Sequence, residues 1–257
     1  MGADRLQEFP PPIGSSGALG KDMVVLVTGA SRGIGHALAA AAAREGHDVA
    51  VNYLRNAALA HALVGELACC PSRVIAIQAD VSAADEAKRL VETTVERLGQ
   101  IDCVVNNAGG GAVTPLDKLD EATFARTLQV NLVSAFLVSQ SAWPHMKTNG
   151  GRLVFLSSGA ARTGGGLSAA YAASKAGVEG LMHYYATALR PYRITANAIA
   201  PTLVKSDLMN LMAPQTTGLP LGRLGRVEEI WPALRMIIET EYLTGQTIHI
   251  DAGRYMT

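Results

Sequence analysis

The sequence offers little that would bind a nucleic acid or a membrane. It carries 22 lysines and arginines against 22 aspartates and glutamates, so its formal net charge is zero. A balanced charge gives no electrostatic attraction for nucleic acid or for an anionic membrane surface. No apolar run approaches the roughly 18 residues that a membrane span needs. We therefore expect neither a nucleic acid nor a membrane among its partners.

Cysteine is scarce, and it is not arranged as a disulfide framework. Of the three cysteines, Cys103 falls in an apolar run that predicts a strand, and Cys69 and Cys70 are neighbours at a predicted helix end. Free thiols are the expected state, and they fit a cytoplasmic location. None of the six histidines stands at metal-ligand spacing from a cysteine or an acid, so we expect no catalytic metal.

Apolar periodicity is missing from the first 22 residues. They contain a run of three prolines and a Gly-Ser-Ser-Gly segment, and the acids Asp4 and Glu8 do not fit a signal peptide. This composition predicts a flexible arm over residues 1–22. Residues 23–257 are long enough for one large α/β domain.

From residue 23 onward, apolar β-branched runs alternate with helical segments of ten or more residues. The runs that predict strands are 23–27, 48–53, 74–79, 101–105, 152–158, 194–199 and 247–250. This alternation predicts a doubly wound, seven-stranded parallel sheet with helices on both faces. A continuous helix is expected over about 121–146, and residues 202–222, which lack a clear period, are expected to form a mobile substrate lid.

Glycine is concentrated where the first strand ends. The strand runs into the segment 28–35, Thr-Gly-Ala-Ser-Arg-Gly-Ile-Gly, and a helix follows. Glycines permit a tight turn and let a pyrophosphate approach the backbone N–H groups closely. Strand, glycine-rich loop and helix in this order predict a dinucleotide site.

The second strand ends without the acid that many NAD sites use to bind the ribose 2′-hydroxyl. Its end reads Asn52-Tyr53-Leu54-Arg55. Arg32 in the glycine-rich loop and Arg55 are candidates to bind a 2′-phosphate through paired, charge-assisted hydrogen bonds. The alternative is that both arginines are merely solvated. We expect NADP(H) to be preferred and NAD(H) to be the less favoured cofactor.

Tyr171 and Lys175 are four residues apart, which places them on one face of a helix. A nearby cation lowers the pKa of a tyrosine, and such a tyrosine can exchange a proton with a carbonyl or alcohol oxygen. Ser158 stands at the end of a predicted strand and could hold the substrate oxygen beside Tyr171. Ser157 is the alternative, because adjacent strand residues point to opposite faces.

Jointly, these motifs resemble the short-chain dehydrogenase/reductase family and imply its single-domain Rossmann fold. The matching pieces, in the family's order and spacing, are Gly29-x-x-x-Gly33-Ile34-Gly35, Asp80-Val81, Asn106-Asn107-Ala108-Gly109, Asn131, Ser158 and Tyr171-x-x-x-Lys175.

The resemblance implies a role for each catalytic residue. Tyr171 would be the general acid/base, and Lys175 would lower its pKa and hold the nicotinamide ribose. Ser158 would position the substrate carbonyl, and Asn131 would support a water-linked proton relay to Lys175. The expected cofactor contacts are Gly29, Ser31, Arg32, Gly33, Ile34, Gly35, Asn52, Tyr53, Arg55, Asp80, Val81, Asn107, Ala108, Gly109, Tyr171, Lys175, Pro201, Val204 and Ser206.

Within the family, the chain is most similar to the 3-oxoacyl-[acyl-carrier-protein] reductases. This likeness implies NADP(H)-dependent reduction of a ketone, with a 3-oxoacyl thioester as one candidate, by a homotetramer. The chain departs from the family at Thr202, where Pro-Gly is usual, and its loop 147–151 has few basic residues to dock an acidic carrier protein. Two alternatives stay open: an NAD-dependent alcohol or sugar dehydrogenase, and a non-catalytic NADP-binding sensor.

Overall fold

The computed structural model of the protein describes residues 23–206 and 219–255. The predicted arm, the central part of the predicted lid and the last two residues lie outside the described residues. The strands are β1 Val24–Val27, β2 Asp48–Tyr53, β3 Val74–Gln78, β4 Cys103–Asn106, β5 Gly151–Leu156, β6 Ile194–Pro201 and β7 Thr247–Ile250. They form one sheet in the order β3-β2-β1-β4-β5-β6-β7, and every pairing is parallel. The predicted seven-stranded parallel sheet is confirmed.

Helices cover both faces of this sheet. They are α1 Gly33–Arg44, α2 Ala57–Glu66, α3 Ala84–Leu98, α4 Glu121–Leu128, α5 Ser134–Met146, α6 Ala160–Thr163, α7 Ala169–Ala188 and α8 Trp231–Glu239. Short 3₁₀ turns occupy Leu67–Cys69, Leu116–Lys118, Arg190–Tyr192 and Val227–Ile230. None of the helices within the described ranges is long and apolar enough to cross a membrane.

The central strands are apolar along their whole length because each of their faces is covered. In β1, Val25 and Val27 pack into the core beneath α1 and α8, whereas Val24 and Leu26 pack into the core beneath α3, α5 and α7. Successive strand side chains point to opposite faces, so a strand covered on both sides has no polar positions in between.

The predicted helix 121–146 is helical along its whole length, but in its middle a π-helical turn, Gln129–Val133, separates α4 from α5. Asn131 lies in this turn with 2 % of its surface exposed. Its side chain hydrogen-bonds to the backbone of Gly110 instead of to solvent. A π turn adds one residue to a helical turn and is common at functional sites.

The topology places the candidate residues at one edge of the sheet. The chain leaves β1 toward β2 on one side and returns to β4 on the other, so the strand order reverses between β1 and β4. Ligands of open α/β sheets bind in the crevice at the carboxyl ends of the strands at such a point. Strand β5 ends at Leu156, two residues before the end of the predicted run 152–158. Ser157 and Ser158 therefore lie in the loop above that edge instead of in the strand.

Candidate active site

A cavity of about 780 Å³ opens at the carboxyl ends of the strands. This volume is in the usual range for small-molecule sites. The predicted residues that line it are Gly29, Arg32, Gly33, Ile34, Asn107, Gly109, Ser158, Tyr171, Lys175, Pro201, Val204 and Ser206. The sequence therefore located both the glycine-rich side and the tyrosine side of the cavity.

The glycine-rich loop is shaped to bring backbone close to a ligand. Gly29 and Gly33 have φ values of 62° and 61°, in the left-handed region that favours glycine. A Cβ on Gly35 would collide with the side-chain amide of Asn107. Helix α1 begins at Gly33, and its first N–H groups and its dipole favour an anion there.

Asn107 ties this loop to the end of β4. Its side-chain Nδ2 donates to the carbonyl oxygens of Thr28 at 2.8 Å and of Gly29 at 3.2 Å. In return, the Thr28 hydroxyl accepts from the backbone N–H groups of Asn107 and Ala108, at 2.9 Å each. Asn107 lines the cavity, but its side chain is committed to holding the loop.

Asn52, a predicted cofactor contact, holds the frame of the site and does not lie at the cavity surface. It has 1 % of its surface exposed and does not line the cavity. Its Oδ1 accepts from the Gly29 N–H at 3.1 Å, and its Nδ2 lies 3.1 to 3.4 Å from the carbonyl oxygens of Tyr53, Ile77 and Ala79. The side chain therefore joins the ends of β2 and β3 to the glycine-rich loop.

The structure does not bring several other predicted cofactor contacts to the cavity lining. Tyr53 is buried and its ring packs edge-on against His61, with centroids 6.0 Å apart. Asp80 accepts from the N–H and the hydroxyl of Ser82, at 3.0 and 2.6 Å, in the turn before α3. The others that do not line the cavity are Ser31, Gly35, Arg55, Val81 and Ala108.

Ser158, not Ser157, faces Tyr171. Ser157 is buried, and its hydroxyl donates to Glu179 Oε1 on α7 at 2.7 Å. The Ser158 hydroxyl forms a hydrogen bond with the Tyr171 phenol. Tyr171 lies in the first turn of α7, whose N-cap Ser168 accepts from the Tyr171 N–H at 3.2 Å.

The expected fall in the pKa of Tyr171 is wrong for this structure. Burial raises the pKa of the phenol, and the hydrogen bond to Ser158 only opposes that rise. Lys175 Nζ lies 5.8 Å from the centre of the tyrosine ring and donates to the Leu156 carbonyl at 2.7 Å. Burial also lowers the pKa of Lys175, to about 8.

Asn131 lies behind the cavity wall. Its Nδ2 donates to the Gly110 carbonyl and to the Ser174 hydroxyl, at 2.9 Å each, and its Oδ1 accepts from the Gly110 N–H at 2.8 Å. A Cβ on Gly109 would lie 2.9 Å from Asn131 Oδ1 and 3.6 Å from Lys175 Nζ. Asn131 is therefore a neighbour of Lys175 across the Gly109 backbone, and it holds the loop that follows β4.

The predicted site residues did not include several that close the far side of the cavity. They include Gly159, Thr202 and Leu203, together with Arg254 and Tyr255 from the segment after β7. Thr202 stands where the family usually has the glycine of Pro-Gly. The next residue, Leu203, has a positive φ of 56°. A leucine in this region costs roughly 1 kcal/mol or more. The departure at Thr202 was the signal in the sequence that this side of the cavity differs from that of the family.

The comparisons with known proteins agree with this geometry. The family model described as short chain dehydrogenase matches residues 23–216. A 3-oxoacyl-[acyl-carrier-protein] reductase of Synechocystis is 38% identical over 91% of this chain and 97% of its own length. The enzyme of the same description from Staphylococcus aureus strain Mu50 is 37% identical over 90% of this chain and 97% of its own length.

Solved structures of relatives have the same architecture. A blue fluorescent protein from a metagenomic library, in complex with NADPH, superposes with a TM-score of 0.85 at 32% identity, covering 92% of this chain and 99% of its own. A dehydrogenase/reductase from Sinorhizobium meliloti superposes with a TM-score of 0.85 at 31% identity, covering 92% and 96%. The chain therefore belongs to the short-chain dehydrogenase/reductase family and is an NAD(P)-dependent oxidoreductase.

Proposed function

We propose that the protein is an NADP(H)-dependent reductase that converts a ketone, such as a 3-oxoacyl thioester, to a secondary alcohol. The observation that carries the proposal is the buried Tyr171 beside Ser158, in the cavity that also contains the glycine-rich loop. Two similar curated proteins are 3-oxoacyl-[acyl-carrier-protein] reductases, and one similar structure was solved with NADPH.

The cavity suits a phosphorylated dinucleotide. The N-terminus of α1 and the left-handed Gly29 and Gly33 form a backbone cradle for a pyrophosphate. Arg32 lies in the same loop and lines the cavity, where it can bind a 2′-phosphate. Lys175 would hold the nicotinamide ribose. When bound, the reduced nicotinamide supplies the hydride.

The raised pKa of Tyr171 suits the direction of reduction. A phenol with a raised pKa keeps its proton at neutral pH, so Tyr171 Oη can donate it as negative charge develops on the carbonyl oxygen. The Ser158 hydroxyl would hold that oxygen beside the phenol. With a pKa of about 8, Lys175 is mostly charged at pH 7 and can stabilise the phenolate that remains.

The proposal specifies a ketone rather than a carrier protein as the partner. Arg190 and Arg193, two basic residues near the loop 147–151, precede β6, whereas the cavity is at the other end of that strand. Eight residues of strand span about 25 Å. Arg193 also donates to the Thr148 carbonyl at 3.0 Å.

Tyr171→Phe tests the reaction. Turnover of ketones and 3-oxoacyl thioesters with NADPH should fall by about 10²–10⁴-fold, because positioned acid catalysis is lost. The NADPH dissociation constant should be unchanged, and Tyr242→Phe, at a fully exposed position, should retain the wild-type rate. Near-normal turnover by Tyr171→Phe would contradict the assignment.

The same assay tests the cofactor preference. We expect kcat/KM to be higher with NADPH than with NADH, and Arg32→Ala to narrow the difference. Equal values for the two cofactors in the wild type would instead favour the NAD-dependent dehydrogenase. Tight NADPH binding without turnover of any ketone or alcohol would favour the non-catalytic sensor.

We also propose a homotetramer that works in the cytoplasm. Exposed aromatic side chains on three helices support self-association: Phe124 on α4, Phe136 on α5 and Tyr184 on α7. The free thiols of Cys69, Cys70 and Cys103 are compatible with a reducing compartment. Fractionation of the source cells would test the location.

A further inference from the structure

Among the described residues, the charged ones that line the cavity are all positive. They are Arg32, Lys175 and Arg254, and the described part of the chain contributes no aspartate or glutamate to the lining. The sequence as a whole has equal numbers of acidic and basic residues, so this bias is local. Arg32 and Lys175 have roles in the proposed function. Arg254 has none there.

A tight turn after β7 holds Arg254 at the cavity. The turn is fixed by Asp251, whose two carboxylate oxygens accept from the Gly253 N–H at 2.9 Å and from the Tyr255 N–H at 3.1 Å. Ala252 and Gly253 both adopt left-handed conformations, with φ values of 57° and 73°. For Ala252 this is strain, of the kind that persists where surrounding contacts fix the backbone.

Arg254 is not neutralised by a carboxylate within residues 23–206 and 219–255. The Asp251 carboxylate is buried, with 7 % of the residue exposed, and serves the backbone of the turn. Arg254 Nε instead donates to the Tyr255 hydroxyl at 3.0 Å, and its guanidinium carbon lies 5.6 Å from the centre of that ring. The guanidinium keeps most of its donors available for a ligand.

The position of Tyr255 shows that Arg254 lies on the side of the cavity that contains Ser158 and Tyr171. Its Cε2 lies 3.1 Å from the position of a Cβ on Gly159, the residue after Ser158. Ser158 in turn interacts with the Tyr171 phenol. Arg32 belongs to the loop at the start of α1, on the nucleotide side. The two arginines therefore line the cavity from different elements.

We propose that Arg254 is a specificity-determining residue that binds an oxyanion carried by the ketone substrate. This inference rests on the proposed reductase activity. A guanidinium binds a carboxylate or a phosphate through two parallel hydrogen bonds. The oxyanion has two sources of the same chemistry: the carboxylate of a small oxo acid, or the phosphate of a 4′-phosphopantetheine thioester.

Paired substrates test the proposal. We would measure kcat/KM with NADPH for 3-oxobutanoate and its methyl ester, and for S-3-oxobutanoyl pantetheine and its 4′-phosphate. In one pair the anionic member should be preferred, and Arg254→Gln should reduce that preference by roughly 10- to 100-fold. Arg254→Lys should retain part of it. Arg97→Gln, at an exposed position of α3, is the matched control and should leave the preference unchanged.

The outcomes separate this inference from the proposed function. The pair that loses its preference identifies the source of the oxyanion, and the neutral members and the KM for NADPH should be unaffected by Arg254→Gln. Reduction of neutral ketones with no anion preference, or a preference that survives in Arg254→Gln, overturns the role of Arg254 and leaves the reductase intact.

If the wild type reduces none of these compounds, a binding measurement tests the role of Arg254 instead. Calorimetry on the enzyme loaded with NADPH would then compare 3-hydroxybutanoate with its methyl ester, and S-3-hydroxybutanoyl pantetheine with its 4′-phosphate. Tighter binding of the anionic member of either pair that is lost in Arg254→Gln supports the oxyanion site even if the reaction is misassigned. Equal binding within both pairs overturns it.

Discussion

Lys175 is a buried cation, and replacing it with methionine should raise the thermal stability of the protein while removing its activity. The lysine has 6 % of its surface exposed, and its Nζ donates to the Leu156 carbonyl. Methionine fills a similar volume without a charge. Activity should fall because the residue proposed to hold the nicotinamide ribose and to stabilise the Tyr171 phenolate is gone.

The size of the stability gain follows from the lowered pKa of Lys175. Burial lowers it from 10.5 to about 8. At about 1.4 kcal/mol per pH unit, this disfavours the charged lysine in the folded state by roughly 3 kcal/mol. The variant also loses the hydrogen bond to the Leu156 carbonyl, and this loss destabilises it by about 1–2 kcal/mol. The net gain of about 1–2 kcal/mol corresponds to a Tm increase of roughly 2–8 °C for a chain of this size.

The gain depends on pH in a direction that identifies its cause. Between pH 8 and 10.5 the unfolded lysine binds more protons than the folded one, so the stability of the wild type rises with pH in this window. The free-energy cost of burying the charged lysine is fully present below pH 8 and is gone near pH 10.5. The advantage of Lys175→Met should therefore be largest at pH 7 and vanish or reverse by pH 10.5.

Thermal unfolding of the cofactor-free protein at pH 7 and pH 10 measures this difference. Lys88→Met is the control, because the Lys88 side chain is 68% exposed and pairs with Glu92 at 3.7 Å on the surface of α3. Its effect should be close to zero at both pH values. A lower Tm for Lys175→Met at pH 7, or a Tm difference that is the same at both pH values, would refute the reasoning.

Two further predictions concern the frame of the site and the assembly. Asn52→Asp would retain an acceptor for the Gly29 N–H but turn a carboxylate oxygen toward three carbonyl groups, so urea unfolding should show a loss of about 1–3 kcal/mol. A stable Asn52→Asp variant that prefers NADH would contradict the structural role of the amide. Sedimentation should give four times the 26.9 kDa chain mass, and a monomer at micromolar concentration would exclude the tetramer.

The sheet could be predicted from the sequence because its signal is local. A strand that is covered on both faces appears as a continuous apolar run, and the residues of β1 are buried throughout. The π turn at Asn131 could not be predicted in the same way. It accompanies hydrogen bonds to Gly110, which is 21 residues away in the sequence.

The parts of the site whose geometry follows from a sequence motif could be predicted. The parts that depend on tertiary packing could not. Spacing alone placed Tyr171 and Lys175 on one helix face, but it carries no information about burial, which reverses the expected direction of the pKa of Tyr171. The position of Asn52 in its strand suggested a ligand contact, whereas its partners on the neighbouring strand and loop make it structural. Arg254 reaches the cavity only because β7 pairs with β6, a contact that no spacing reveals.

The three side-chain amides that hold the loops have a consequence for kinetic experiments. Asn52, Asn107 and Asn131 each join segments that are distant in sequence, and each bonds to backbone groups. A neutral amide neither titrates nor weakens as salt screens charges. The scaffold should therefore keep its shape as pH and ionic strength are varied, and a change in rate across a pH–rate profile can be assigned to the chemistry of Tyr171 and Lys175 rather than to movement of the loops that carry them.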